Sequence, residues 1–69
     1  MRIAVDIRSL TAPFHTGVGI VTESLIRAMA KQSPNDSFHL FATGSEEALM
    51  NIPSWEEENV HVHPLLLRN

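Results

Sequence analysis

The chain has no cysteine among its 69 residues. Disulfide staples and thiolate metal sites are therefore excluded, and the redox compartment leaves no trace in the sequence. Basic residues are few as well. Five Lys and Arg stand against eight Asp and Glu, a formal charge of −3, whereas binding to a phosphate backbone calls for a basic stripe. A nucleic-acid partner is not expected. No apolar run approaches the roughly 20 residues of a membrane-spanning helix, and Leu65-Leu66-Leu67 is far too short. The opening MRIAVDIR carries an aspartate inside its apolar stretch and lacks a small-residue cleavage site, so it does not read as a signal peptide. A cytoplasmic protein is the expectation. Internal repeats and linker-like composition are absent too, and residues 1–69 read as one unit.

What is present is an apolar fraction of 43%, which argues against disorder. A chain of this size buries only about 60% of its unfolded surface and is marginally stable alone. Two arrangements fit: a piece of a larger protein, or a unit that covers its open side with another copy.

Ile3 to Ile7 is a nearly continuous apolar run, the pattern of a strand covered on both faces in a parallel sheet. Arg8 to Thr16 reads as a loop, longer than the two to six residues usual between strand and helix. From Val18 to Lys31 the spacing turns helical, with Val18, Val21, Leu25, Ala28 and Met29 on one expected buried stripe and Thr22, Glu23, Arg27 and Lys31 facing out. Glu23 and Arg27 form an i,i+4 pair. Ser33-Pro34-Asn35-Asp36 stops the helix. Phe38 to Ala42 is the second strand, broken by Thr43-Gly44-Ser45. Ser45 is placed to cap a short helix from Glu46, with Ala48, Leu49 and Ile52 on its apolar side and Pro53 as its end. A polar connector from Pro53 to Asn59 leads to the third strand, Val60 to His63. The expected fold class is α/β, a three-stranded parallel βαβαβ half of a doubly wound, Rossmann-like sheet in strand order 3-2-1.

Several residues carry chemistry, each with two readings. Gly17-Val18-Gly19 can be a tight entry into the helix, or a turn whose bare backbone lets a phosphate or sugar approach. It is not the dinucleotide fingerprint G-x-G-x-x-G, because Thr22 occupies the third glycine position and no acid closes the second strand; no cofactor is expected. Asp6 and Arg8 lie at the carboxyl end of the first strand, where open α/β sheets bind ligands. They can orient a hydroxyl or a phosphate; equally, Asp6 can bond loop amides and Arg8 can be solvated. His61 and His63 share one face of a strand, a spacing able to ligate zinc. With no cysteine and no nearby carboxylate, no metal site is expected. His15 can be an acid/base group or merely solvated. Trp55 reads as a cover for the end of the core, and Glu56-Glu57-Glu58 as a solvated charge run. No nucleophile–base pair, catalytic carboxylate pair or P-loop can be assembled, so no catalytic residue is assigned.

The succession MRIAVDIRSL, a loop, then TGVG leading into TESLIRAMA resembles the N-terminal edge of family 4 glycosyltransferases, retaining enzymes of the GT-B fold. The resemblance covers the whole chain, with its signature in residues 3 to 30. It implies that Gly17 and Gly19 map onto the glycine turn beside the donor diphosphate and acceptor, and Asp6 and Arg8 onto the strand-end pair. Ile20 and Val21 stand where members with this opening carry arginine and tyrosine, which removes a cation from the mouth of the site and leaves an apolar side chain suited to a protein contact. An intact enzyme of this family would bind a nucleotide-sugar and an acceptor between two domains. These 69 residues are expected to form an N-terminal fragment, inactive as an isolated chain. The alternative is a stand-alone, non-catalytic α/β module working through self-association, as a homo-oligomer, or through a protein partner.

Overall fold

The apolar segments assemble as a parallel sheet. Strand β1 spans Arg2–Asp6, β2 Ser37–Gly44 and β3 Val60–Leu66, side by side in the order β1-β2-β3 and all parallel. Helix α1, Gly17–Gln32, precedes β2, and the four-residue helix α2, Glu46–Leu49, lies between β2 and β3. The structure is a computed structural model that describes residues 1–11 and 17–67. His15 and Thr16, and with them most of the expected long loop, lie outside the described residues. The α/β class, the parallel pairing and the strand order agree with the expectation.

The core occupies one side of the sheet. Phe38, Leu40 and Ala42 of β2 are buried there with Ile7, Leu10, Ile26 and Ala30, and Ile3, Val5, Val60, Val62, Leu49, Ile52 and Trp55 pack around them. Successive strand residues point to opposite faces, so both helices share the face that holds this cluster. The opposite face carries exposed or half-exposed residues of all three strands. β1 alternates exposed and half-buried along its length, which corrects the expectation of a strand covered on both faces.

Element ends are set by local chemistry. Ser45 accepts a hydrogen bond from the Ala48 amide at 3.2 Å, the expected cap of α2. That helix stops at Leu49, four residues before Pro53. After α1, Ser33 N–H donates to Met29 O at 3.0 Å and Asp36 N–H to Ser33 O at 3.0 Å, closing the Ser-Pro-Asn-Asp turn. Asn59 then ties that turn down: its amide nitrogen donates to the carbonyls of Ala30 (3.0 Å), Ser33 (3.2 Å) and Asp36 (3.0 Å). β2 and β3 both run further than expected. Thr43 and Gly44 pair with Leu65 and Leu66 and extend the ladder past the expected break and past Pro64.

Helix α1 is rotated from its expected orientation. Its buried residues are Gly19, Ile26 and Ala30, while Val18 (68% exposed), Val21 (65%) and Leu25 (56%) face solvent. Of the expected stripe only Met29 packs against the core. The helix is apolar on two sides, and a network on the charged side decides between them. Arg27 pairs with Glu23 at 3.0 Å and with Glu57 at 2.9 Å, donates to Ser54 O at 2.8 Å, and lies 4.4 Å over the Trp55 ring. Glu23 and Arg27 thus face inward toward the 53–59 connector, against the outward placement expected. Glu57, with only 12% of its side chain exposed, is not part of a solvated run.

Candidate functional site

The carboxyl end of β1 is built around Asp6 and Arg8. Ile7, just past the strand, continues the ladder by donating to Phe41 O at 2.9 Å, and Leu10 N–H then donates to Ile7 O at 2.8 Å. This closes a single 3-10 turn, Arg8–Leu10, inside the segment expected to be irregular. Ile7 and Leu10 are fully buried, so the turn is nailed to the core while Arg8 between them stays out. Asn51, just after α2, donates to Thr11 O at 3.0 Å and fixes the far side of the turn.

Asp6 then folds over its own loop. One carboxylate oxygen accepts the Arg8 backbone N–H at 2.9 Å, and the guanidinium meets the carboxylate at 2.8 to 3.1 Å. The hydrogen bonds from the Arg8 side chain, and after them its amide, hold the Asp6 carboxyl below the usual carboxylate value. The same bonds raise the Arg8 guanidinium. Asp6 is thus both the loop-amide acceptor and the ion-pair partner. Beside the pair lies an open hollow of about 380 Å³ lined by Ala4, Phe41 and Thr43 together with Asp6 and Arg8. It can receive a polar group against a fixed charge pair. Phe41 and Thr43 were not singled out in the sequence; the register Asp6↔Phe41 brings Phe41 beside the pair, which a strand pattern alone does not reveal.

Gly17 and Gly19 belong to the first turn of α1 rather than to a separate turn before it. Neither has a positive φ, so the backbone does not require glycine for its conformation. A Cβ on Gly17 would meet nothing within 4 Å, while Gly19 is buried. α1 packs against the Arg8–Leu10 turn, and this is how the structure relates the glycines to the charged pair. Ile20 is 54% exposed next to them.

A second cluster stands on the bare face of the sheet. Register pairs His39 with His61 and Phe41 with His63, so the three strand histidines gather on one face. His39 Nδ1 and His63 Nε2 are 2.9 Å apart. One of them donates and the other accepts, so at least one ring is neutral. Rings stack between His39 and His61 (centroids 5.0 Å apart), His39 and His63 (5.1 Å), and Phe41 and His63 (4.8 Å). Burial, then the neighbouring imidazoles and Arg2, push the His39 ring below its ordinary value. Among the described residues no group of three or more His, Cys, Asp or Glu is placed to hold a metal ion, and no helix is long and apolar enough to cross a membrane.

No family model, curated protein or solved structure matches this chain.

Proposed function

We propose that this chain is the N-terminal wall of a family 4-like glycosyltransferase, a Rossmann-like half-sheet of the GT-B type, which in an intact enzyme faces a nucleotide-sugar and its acceptor. One observation carries the reading. The Asp6–Arg8 pair sits at a 3-10 turn at the carboxyl end of a parallel strand, beside an open hollow, and the chain proceeds from there into a glycine-bearing helix. Ligands of open α/β sheets bind at that end of the strands. Asp6, Arg8, Gly17 and Gly19 are the proposed contacts, with Arg8 toward phosphate and Asp6 toward a sugar hydroxyl. The reading expects a cytoplasmic protein, no cofactor and no metal, and no sugar transfer by these 69 residues alone.

Amide NMR of the labelled chain with millimolar UDP- and GDP-sugars tests it. Shifts centred on Asp6, Arg8, Gly17 and Gly19 are expected, and they should fall away in Arg8→Ala. Unmoved amides at those four positions, in a folded sample, would remove the proposal.

A second reading has its own observation. A parallel sheet is ordinarily covered on both faces, whereas here one is left uncovered by the described residues, with Phe41 and Leu65 exposed on it. This favours a non-catalytic module that works through self-association.

A further inference from the structure

The bare face has a definite chemical layout. Across the three strands one row reads Ala4, His39, His61, and the next reads Asp6, Phe41, His63. Arg2 and Asp6 mark the two ends of β1 on this face, and Asp6 is the only carboxylate among its members. The molecule is a slab, with Cα extents of 38 × 24 × 16 Å. Its accessible surface is 4906 Å², whereas a monomer of this mass has about 4,300 Å².

We propose that this face is where two copies of the chain meet, sheet on sheet about a two-fold axis along the Ala4–His39–His61 row, with the imidazoles making the contact reversible by acid. The proposal rests on the self-association reading and names its surface and its control.

Three features select a second copy as the occupant. A two-fold contact must be complementary to itself. Neutral imidazole carries one N–H donor and one lone-pair acceptor; the axis sets His61 against its own image with both available, and His39 against its own with Nε2 alone, since its Nδ1 is bonded to His63. The same axis reverses strand direction, so Arg2 of one copy lies over Asp6 of the other. Arg2 has no ion-pair partner within its own chain among the described residues. Phe41, 40% exposed in the next row, and Leu65, 55% exposed in the row beyond it, supply apolar area on the same face.

Acid sensitivity follows from the same atoms. The groups facing the imidazoles are Arg2 and Asp6 from β1, His39 from β2 and His61 and His63 from β3, and Asp6 is already held by Arg8. No helix covers them among the described residues. Protonated imidazole has two donors and no acceptor. Where both imidazoles of an image pair are protonated, two cations face each other with no hydrogen bond between them, and the copies separate.

Sedimentation equilibrium of the 69-residue chain, at about pH 7.5 and about pH 5.5, tests this. The expected result is a dimer at the higher pH whose dissociation constant rises at least about tenfold at the lower one. Ala4→Lys, on the axis, and Phe41→Lys, beside it, should each abolish the dimer in chains that circular dichroism shows to be folded. The His39→Gln/His61→Gln variant should still pair but lose the acid response. Diethyl pyrocarbonate modification of unmutated chain gives a variant-free readout: His39 and His61 should react more slowly in concentrated than in dilute protein. A monomer at about 200 µM and neutral pH overturns both this inference and the self-association reading. A dimer that survives Ala4→Lys and Phe41→Lys, or equal modification rates at both concentrations, overturns the face alone. An unchanged acid response in His39→Gln/His61→Gln removes the imidazole control.

Discussion

At the residue scale, Asn59 and Gly17 show how one side chain, or the lack of one, sets the frame. Asn59 satisfies carbonyls at the end of α1 and in the turn before β2, groups that a helix end otherwise leaves to water. Asn59→Ala should cost about 1–3 kcal/mol in urea unfolding. Asn59→Asp, which sets a carboxylate against three carbonyl oxygens, should cost more at neutral pH. Equal costs for the two would mean that the amide donors are not what matters. Gly17 supplies the opposite test. With no positive φ and open space around its Cβ position, Gly17→Ala should leave stability unchanged or raise it by up to about 1 kcal/mol. If the glycine is there for a ligand's approach, the same variant should weaken the sugar-nucleotide shifts. A loss of stability would instead mark Gly17 as structural. The sequence pattern could not separate these uses, because a glycine before a helix looks the same in both.

At the scale of elements, the orientation of α1 is the instructive departure. Both candidate faces are apolar at helical spacing, so periodicity alone leaves the choice open. The face that packs has Gly19 and Ala30 on either side of Ile26, and small residues let a helix approach a sheet closely. It also allows Arg27 to reach Trp55 and, thirty residues on, Glu57, contacts no local window contains. Burial works against the Arg27 charge, but the bonds to Glu23 and Glu57 outweigh it and raise the guanidinium above its ordinary value. Ile26→Ala should therefore cost about 2–4 kcal/mol, while Leu25→Gln should stay within about 0.5 kcal/mol, both read by chemical denaturation. The reverse order would restore the orientation that the sequence pattern favoured. The strands were legible because short apolar stretches between turn residues, β-branched in β1 and β3 and built on Phe38, Leu40 and Phe41 in β2, leave little else to form. Their far ends were not, because Thr43, Gly44, Pro64 and Leu65 join the ladder through each other's pairing rather than through their own propensity. For the same reason Asp6 and Arg8 could be named from the strand end, whereas Phe41 and His39 entered their clusters only through register.

At the scale of the whole molecule, one thin slab holds an imidazole cluster on its open face and ion-paired carboxylates at Asp6 and Glu57, so its stability should depend on pH in two stages. The folded state holds His39 below its ordinary value of 6.5, first through burial and then through the neighbouring imidazoles and Arg2. Between its folded value and 6.5 the unfolded chain binds more protons at this site, and stability rises with pH wherever that is so. The His39 contribution is thus fully present above the ordinary histidine value and is lost as pH falls through the folded one. Glu57 is lowered too, chiefly by backbone N–H groups and by Arg27 against the cost of burial, and Asp6 is lowered by Arg8. Their contributions persist through the histidine range and disappear as pH falls through their own depressed values. Urea unfolding followed by Trp55 fluorescence, in protein dilute enough to be monomeric, should show a first decline from about pH 7 to 5 and a second below about pH 4. His39→Gln should flatten the first decline and leave the second in place. Arg27→Ala should reduce the second and leave the first. A single decline confined to the carboxylate range, the same with and without His39, would show that the imidazole row is indifferent to folding of the single chain and that any acid response of the dimer arises wholly between copies.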